Sequence, residues 1–170
     1  MAPSELEQGR AEKDEFFRYD PQSPLTQEQR QAFEGLAYFP ENLSLRLDVV
    51  LDIHPDHPLI ELQTSTGDTR VYYRYGNVQF SVDGVEAVLT IYADEDGFFF
   101  LPFIDSLAGS ETYPAGRYLE PVALSSTRFL IDFNQAYNPY CAYNDRWSCP
   151  LTPAENRLKV PIRAGENQCG

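Results

Sequence analysis

From Leu43 the apolar positions fall into a period of two: Leu43, Leu45, Leu47, Val49, Leu51 and Ile53 alternate with Ser44, Arg46, Asp48, Val50 and Asp52. This run on one parity predicts a β-strand with one buried face. His54-Pro55-Asp56-His57-Pro58 turns the chain, Leu59 to Thr66 reads as the next strand, and Thr66-Gly67-Asp68 as a tight turn. Arg70 to Tyr75 sets Val71, Tyr73 and Tyr75 against Arg70, Tyr72 and Arg74. Val78, Phe80 and Val82 then run into Asp83-Gly84, a strong hairpin signal, and Val85, Ala87, Leu89, Ile91 and Ala93 return along the partner strand. Asp94-Glu95-Asp96-Gly97 turns into an apolar strand from Phe98 to Ile104. After a polar stretch, Thr127 to Asn134 places Phe129, Ile131 and Phe133 on one face and Leu130, Asp132 and Asn134 on the other.

Ahead of the strands the pattern is helical. Ser4 with Glu7, preceded by Pro3, forms a capping box opening a charged helix from Glu5 to about Phe17. Asp20-Pro21-Gln22-Ser23-Pro24 breaks it; Thr26 with Gln29 opens a second, short helix that Gly35 would close in a left-handed cap. Strands joined by short turns are antiparallel neighbours, and about eight or nine of them with few helices suggest a barrel or sandwich. The expected fold is mainly β: an antiparallel barrel-like sheet with two short N-terminal helices. Residues 1–170 form a single domain, with a helical segment 4–39 packed on a β body 43–166.

Composition adds to this in three ways. Eleven Tyr and eleven Phe against one Met predict a core of rings and β-branched side chains, which suits sheet. A net charge of −13 repels phosphate backbones, so nucleic acid and anionic membranes are poor partners. No window approaches the ~18 consecutive apolar residues of a membrane span. The N-terminus also lacks the basic-then-apolar build of a signal peptide. With three cysteines, too few for a disulfide scaffold, the chain reads as cytoplasmic. No motif identifies a cofactor, and neither oligomeric state nor ligand is readable.

Candidate chemistry gathers in two stretches. Asp105 to Tyr118 packs hydrogen-bonding side chains around Gly109 and Gly116. It reads either as a loop satisfying its own backbone or as a ligand wall. In the second case Arg117 offers a planar fork to a carboxylate or phosphate, and Glu111 or Asp105 holds it in place. Asp132 and Asn134 end an apolar strand; buried, Asp132 would need a partner such as Arg117 or Arg157. The loop from Ala136 to Pro150 holds the only Trp and two cysteines. As a zinc site it is weak, because Cys141 and Cys149 stand eight apart where about two to four is typical, and no metal is assigned. A cysteine nucleophile would need a base, and His54 and His57, the only imidazoles, sit far upstream. A Cys141–Cys149 disulfide or two packed thiols is the plainer reading, with Cys169 idle.

These stretches carry a resemblance. Asp132-Phe133-Asn134, Ala136-Tyr137-Asn138-Pro139, Cys141-Ala142-Tyr143, Cys149-Pro150-Leu151, Pro153, Glu155-Asn156-Arg157-Leu158 and Ala164-Gly165-Glu166 resemble the signature of DUF1684, a group of uncharacterised bacterial and archaeal proteins. Thr112-Tyr113, Gly116-Arg117-Tyr118-Leu119, Ser23-Pro24-Leu25, Gly35-Leu36 and Tyr38-Phe39-Pro40 extend the likeness over nearly the whole chain. Thr152 stands where proline is expected. The resemblance implies that these residues belong to one shared design, without an activity.

Three functional readings follow. The first is a small-molecule site at one barrel mouth, lined by Asp105, Glu111, Tyr113, Arg117, Asp132, Asn134, Tyr137 and Asn138, with Cys141 and Asn156 near the rim. If chemistry occurs there, Asp132 is the candidate general base and Arg117 the charge stabiliser. The second is a non-catalytic module in which the same polar residues brace the fold and an exposed face binds a partner. The third is a thiol-dependent enzyme or redox sensor built on Cys141 and Cys149.

Overall fold

A computed structural model describes residues 4–168; Pro3 and Cys169 lie outside the described residues. Helix α1 spans Glu5–Tyr19, and the Ser4 hydroxyl caps it by accepting from Glu7 N at 3.1 Å. Helix α2 spans Gln27–Ala32 with both halves of the Thr26/Gln29 capping box formed. It stops at Ala32 because Phe33 turns extended, so Gly35 is not its cap. Gly35 instead lets Leu36 N reach the Asp14 carboxylate at 3.0 Å, tying the segment to α1.

Strand β1 runs Arg46–Ile53, β2 Leu59–Gln63, β3 Thr69–Val82, β4 Val85–Ala93, β5 Phe99–Phe103, β6 Arg117–Leu119, β7 Val122–Ala123 and β8 Arg128–Asp132. Leu43–Leu45 is a 3-10 turn, not strand, because the Asn42 side chain accepts from Ser44 N and winds the chain there. The two predicted strands from Arg70 to Val82 are one long strand, β3, with a register shift between Arg74 and Gly76. Gly76 allows the bend: a Cβ there would lie 2.6 Å from the Asp52 carbonyl.

All pairings between the strands are antiparallel, in the order β6-β5-β4-β3-β1-β8-β7, with β2 also on β3. The two end strands, β6 and β7, are separated in sequence only by Glu120 and Pro121. The ends of the path therefore meet, and the sheet curls into a half-barrel. Its inward parity supplies the core: Val49 and Leu51 from β1, Leu89 and Ile91 from β4, Phe129 and Ile131 from β8, with Leu45 added from the turn before β1.

The core is completed by a segment with no assigned strand. Leu158, Val160, Ile162 and Ala164 are buried while Arg157, Lys159 and Arg163 between them are exposed, the alternation of an extended strap laid across the barrel interior. Leu158 N donates to Ile104 O at 2.7 Å and Ser106 N to Val160 O at 3.0 Å, which lace the strap to the chain leaving β5. Helix α1 docks beside it through Phe17, whose ring packs on Phe33, Tyr140 and Tyr143.

Candidate functional site

Arg117 is the largest fully buried side chain, and the strap explains its position. Its guanidinium donates to the carbonyls of Ile162 (2.8 Å), Ala164 and Glu166 (2.9 Å) and lies 3.6 Å from the Asp105 carboxylate. Asp105 accepts from the Thr112 hydroxyl at 2.7 Å and from Ile162 N at 2.8 Å. Burial lowers the Arg117 pKa to about 10, with Asp105 and then Glu166 opposing the shift. This is a clamp on the strap whose donors and acceptors are occupied by protein.

Asn156 braces a second place. Strands β4 and β5 pair only at Tyr92–Phe100 and Ala93–Phe99, and Pro102 has no N–H to continue the ladder. The fully buried Asn156 amide fills the gap: it accepts from Thr90 N and donates to Thr90 O (both 2.9 Å) and to Pro102 O (2.8 Å). The Glu166 carboxylate, also buried, holds Lys13 of α1, Asn138 N at 3.0 Å and the Tyr143 hydroxyl at 3.1 Å. Sequence reasoning did not single out Glu166, although it closes the Ala164-Gly165-Glu166 motif. Gly165 sits at φ +77 with both the Phe133 and Ala136 carbonyls 2.7 Å from where a Cβ would be.

The recess expected to join Arg117 and Asp132 is not formed by contact between them: no hydrogen bond or ion pair among the described residues links the two. The Asp132 carboxylate caps the turn Phe133–Gln135 by accepting from Asn134 N at 3.0 Å, and its charge partner is Arg46 at 3.6 Å, neither Arg117 nor Arg157. Asn134 binds the backbone of Asn42 through its side chain, at 2.8 and 2.9 Å. Glu111 is exposed and lies 3.4 Å from Arg163.

Cys141 and Cys149 are free thiols, with Cys141 N donating to Cys149 Sγ at 3.3 Å and the Tyr113 hydroxyl 3.9 Å from Cys141 Sγ. Burial raises the Cys141 pKa, and the neighbouring Cys149 raises it further, so the thiolate is disfavoured. The His57 ring lies tilted against that of Tyr75, centroids 4.6 Å apart.

Tyr137 is placed differently. With Tyr118, Tyr140 and Trp147 it walls a cleft of about 460 Å³ whose floor is Cys149 and Pro150. Tyr118 meets Tyr137 edge-on at 5.9 Å and Tyr140 meets Trp147 at 5.2 Å. The indole is fixed from behind by its N–H on Pro24 O at 2.8 Å and by Arg146 4.9 Å above the ring. Two cations stand at the cleft: Lys13, 5.0 Å from the Tyr137 ring, and the exposed Arg70, which donates to Ser148 O and makes no ion pair among the described residues. Glu120 also lines the cleft and accepts from the Tyr137 hydroxyl at 2.8 Å. The aromatic density of residues 137–147 signals this cleft in sequence; Lys13 and Arg70 come from distant elements and carry no such signal.

The family model for DUF1684, described as a protein of unknown function, matches residues 31–167. The chain belongs to the DUF1684 family. Its fold is shared by the solution NMR structure of the uncharacterized protein from gene locus rrnAC0354 of Haloarcula marismortui. That protein is 38% identical, with a TM-score of 0.72 over 96% of this chain and 92% of the other. No curated protein matches the chain. Among the described residues, no helix is long and apolar enough to cross a membrane.

Proposed function

We propose that this DUF1684 protein is a non-catalytic small-molecule binder whose ligand lies in the cleft of Tyr118, Tyr137, Tyr140 and Trp147. The ligand class is a planar ring bearing an anionic group: ring faces and edges receive the plane, and Arg70 receives the charge. The observation that carries this reading is the convergence of four aromatic side chains and the unpaired Arg70 on one hollow in a protein of net charge −13. In such a protein a local cationic end selects an anion against the overall field. Arg117, Asp105, Asn138 and Asn156 take the bracing role, and Asp132 that of a turn cap, so no general base is assigned.

Trp147 is the only tryptophan, so intrinsic indole emission reports the cleft directly. Titration with flavin mononucleotide, nicotinate and indole-carboxylate, each beside an uncharged analogue, is expected to give saturable quenching and a raised melting temperature with at least one anion. Arg70→Gln should weaken the anion by about tenfold and leave the uncharged analogue unaffected. Absence of saturable quenching across the set, or equal loss for both forms, refutes the proposal.

A further inference from the structure

On the other side of the Ser148–Pro153 segment lies a second hollow, of about 490 Å³, running along Ile60 to Gln63 of β2. Arg74 N bonds Pro58 O at 2.8 Å and Thr64 N bonds Asp68 O at 2.9 Å, one at each end of the β2–β3 ladder. The even-numbered residues of β2 therefore exchange bonds with β3, and the backbone groups of Leu59, Glu61 and Gln63 point to the outer edge. The segment after Trp147 covers that edge only in part. Ser65 N donates to Cys149 O (2.9 Å) and Leu151 N to Gln63 O (2.7 Å), around the Thr64–Pro150 bridge. Two residues further on, the same register would set Glu61 against Pro153, which has no N–H; the chain turns away there into Ala154–Asn156.

Glu61 is left with its N–H and C=O facing the hollow. The walls are Ile60, Leu62, Ile104, Pro114 and Leu151, and the one cation is Arg157. Arg157 is exposed, and its guanidinium makes no hydrogen bond or ion pair among the described residues. The neighbouring Glu155 is occupied by Arg74 and Tyr92.

We propose that this edge takes the C-terminal end of an extended peptide as an added strand. The peptide main chain pairs with the Glu61 backbone, its terminal carboxylate pairs with Arg157, and its last side chain, an aliphatic one, lies among Leu62, Ile104 and Leu151. Strand addition needs an unpaired edge, a pocket for alternate side chains and a cationic or amide terminus for the carboxylate, and all three occur together here. In a negatively charged protein, an unpaired guanidinium lining an apolar hollow favours a peptide's carboxylate end over its acidic interior.

The test uses the intact protein and an equimolar set of N-acetyl tripeptides ending in Val, Leu or Ile, with isovalerate as the backbone-free acid. Amide exchange read by NMR is expected to slow at Glu61 as the set is added. Conversion of the peptides to carboxamides should weaken binding by at least about tenfold, as should Arg157→Gln, which at an exposed site leaves the melting temperature unchanged. Arg70→Gln should have no effect. Unchanged exchange at Glu61, equal binding of acids and amides, or isovalerate binding as tightly as the tripeptides each overturns the proposal; the last outcome assigns the hollow to small organic acids.

Discussion

The clamp around Arg117 and the cleft around Trp147 each set an arginine among neighbouring rings and carbonyls, yet they differ in what remains unsatisfied. Arg117 spends its fork on Asp105 and three carbonyls of the strap and is fully buried. Arg70 spends one bond on Ser148 O and keeps the rest exposed beside the cleft rings. A charge saturated by its own chain holds a fold; a charge held at a hollow with donors to spare is available to a ligand. The two regions should therefore separate cleanly under perturbation.

The largest effect is expected from alkali. Burial raises the phenol pKa values of Tyr92, Tyr118, Tyr137 and Tyr143 above the ordinary 10.0, and that of Tyr113 to about 12. Above pH 10 the unfolded chain holds fewer protons than the folded one, so this contribution to stability is intact below about pH 10 and falls as pH rises further. The tyrosinate absorbance of these buried phenols should appear only with the loss of circular dichroism; complete ionisation of all eleven tyrosines in a protein that keeps its circular dichroism would show that both regions are more open than described.

Next comes Arg117→Ala. It strands the Asp105 carboxylate and three buried carbonyls, and breaking a buried pair costs about 3–5 kcal/mol, measurable by urea unfolding. Asn156→Ala should cost about 3 kcal/mol by the same measurement, because several buried backbone groups lose their partners at once. If either variant instead keeps wild-type stability, the residue it removes is no brace.

The smallest effects mark the other side of the comparison. Asp132→Asn retains an acceptor for Asn134 N and gives up only the half-exposed contact with Arg46, so it should cost below about 1 kcal/mol. Arg70→Gln should change stability by less than about 0.5 kcal/mol while removing the preference for anions. A large loss of stability from Arg70→Gln would move it into the class of Arg117 and erase the distinction.

Much of the fold was legible because it is written in local terms. The alternation from Leu45 to Leu51, the Asp83-Gly84 hairpin and the Thr26/Gln29 box each show within a few residues what they do. The strap was not legible as part of the core: Leu158, Val160, Ile162 and Ala164 alternate, but their partners are the inner faces of strands far upstream. For the same reason Arg117 read as a ligand contact. Asp105 was named as its holder, but main-chain carbonyls near residue 164 leave no trace in side-chain composition. Asp132 carries a local sign of its role, since an Asp two residues before Asn134 N has the spacing of a turn cap. Of the ten residues named for a site, Tyr137 lines the cleft, and it does so in a loop already conspicuous for its rings.

The strap also bears on how the protein is made. All eight strands precede Leu158 in the chain, so during synthesis the curved wall emerges before the side chains that fill it. Until Ile162 and Ala164 have cleared the ribosome, Arg117 has Asp105 but none of its three carbonyl partners, and the nascent sheet shows water a greasy concave surface. Folding is then a late event, locked when the final inward residues slide under the guanidinium, and a chaperone that shields the hollow beforehand would be protecting the place where those residues must go.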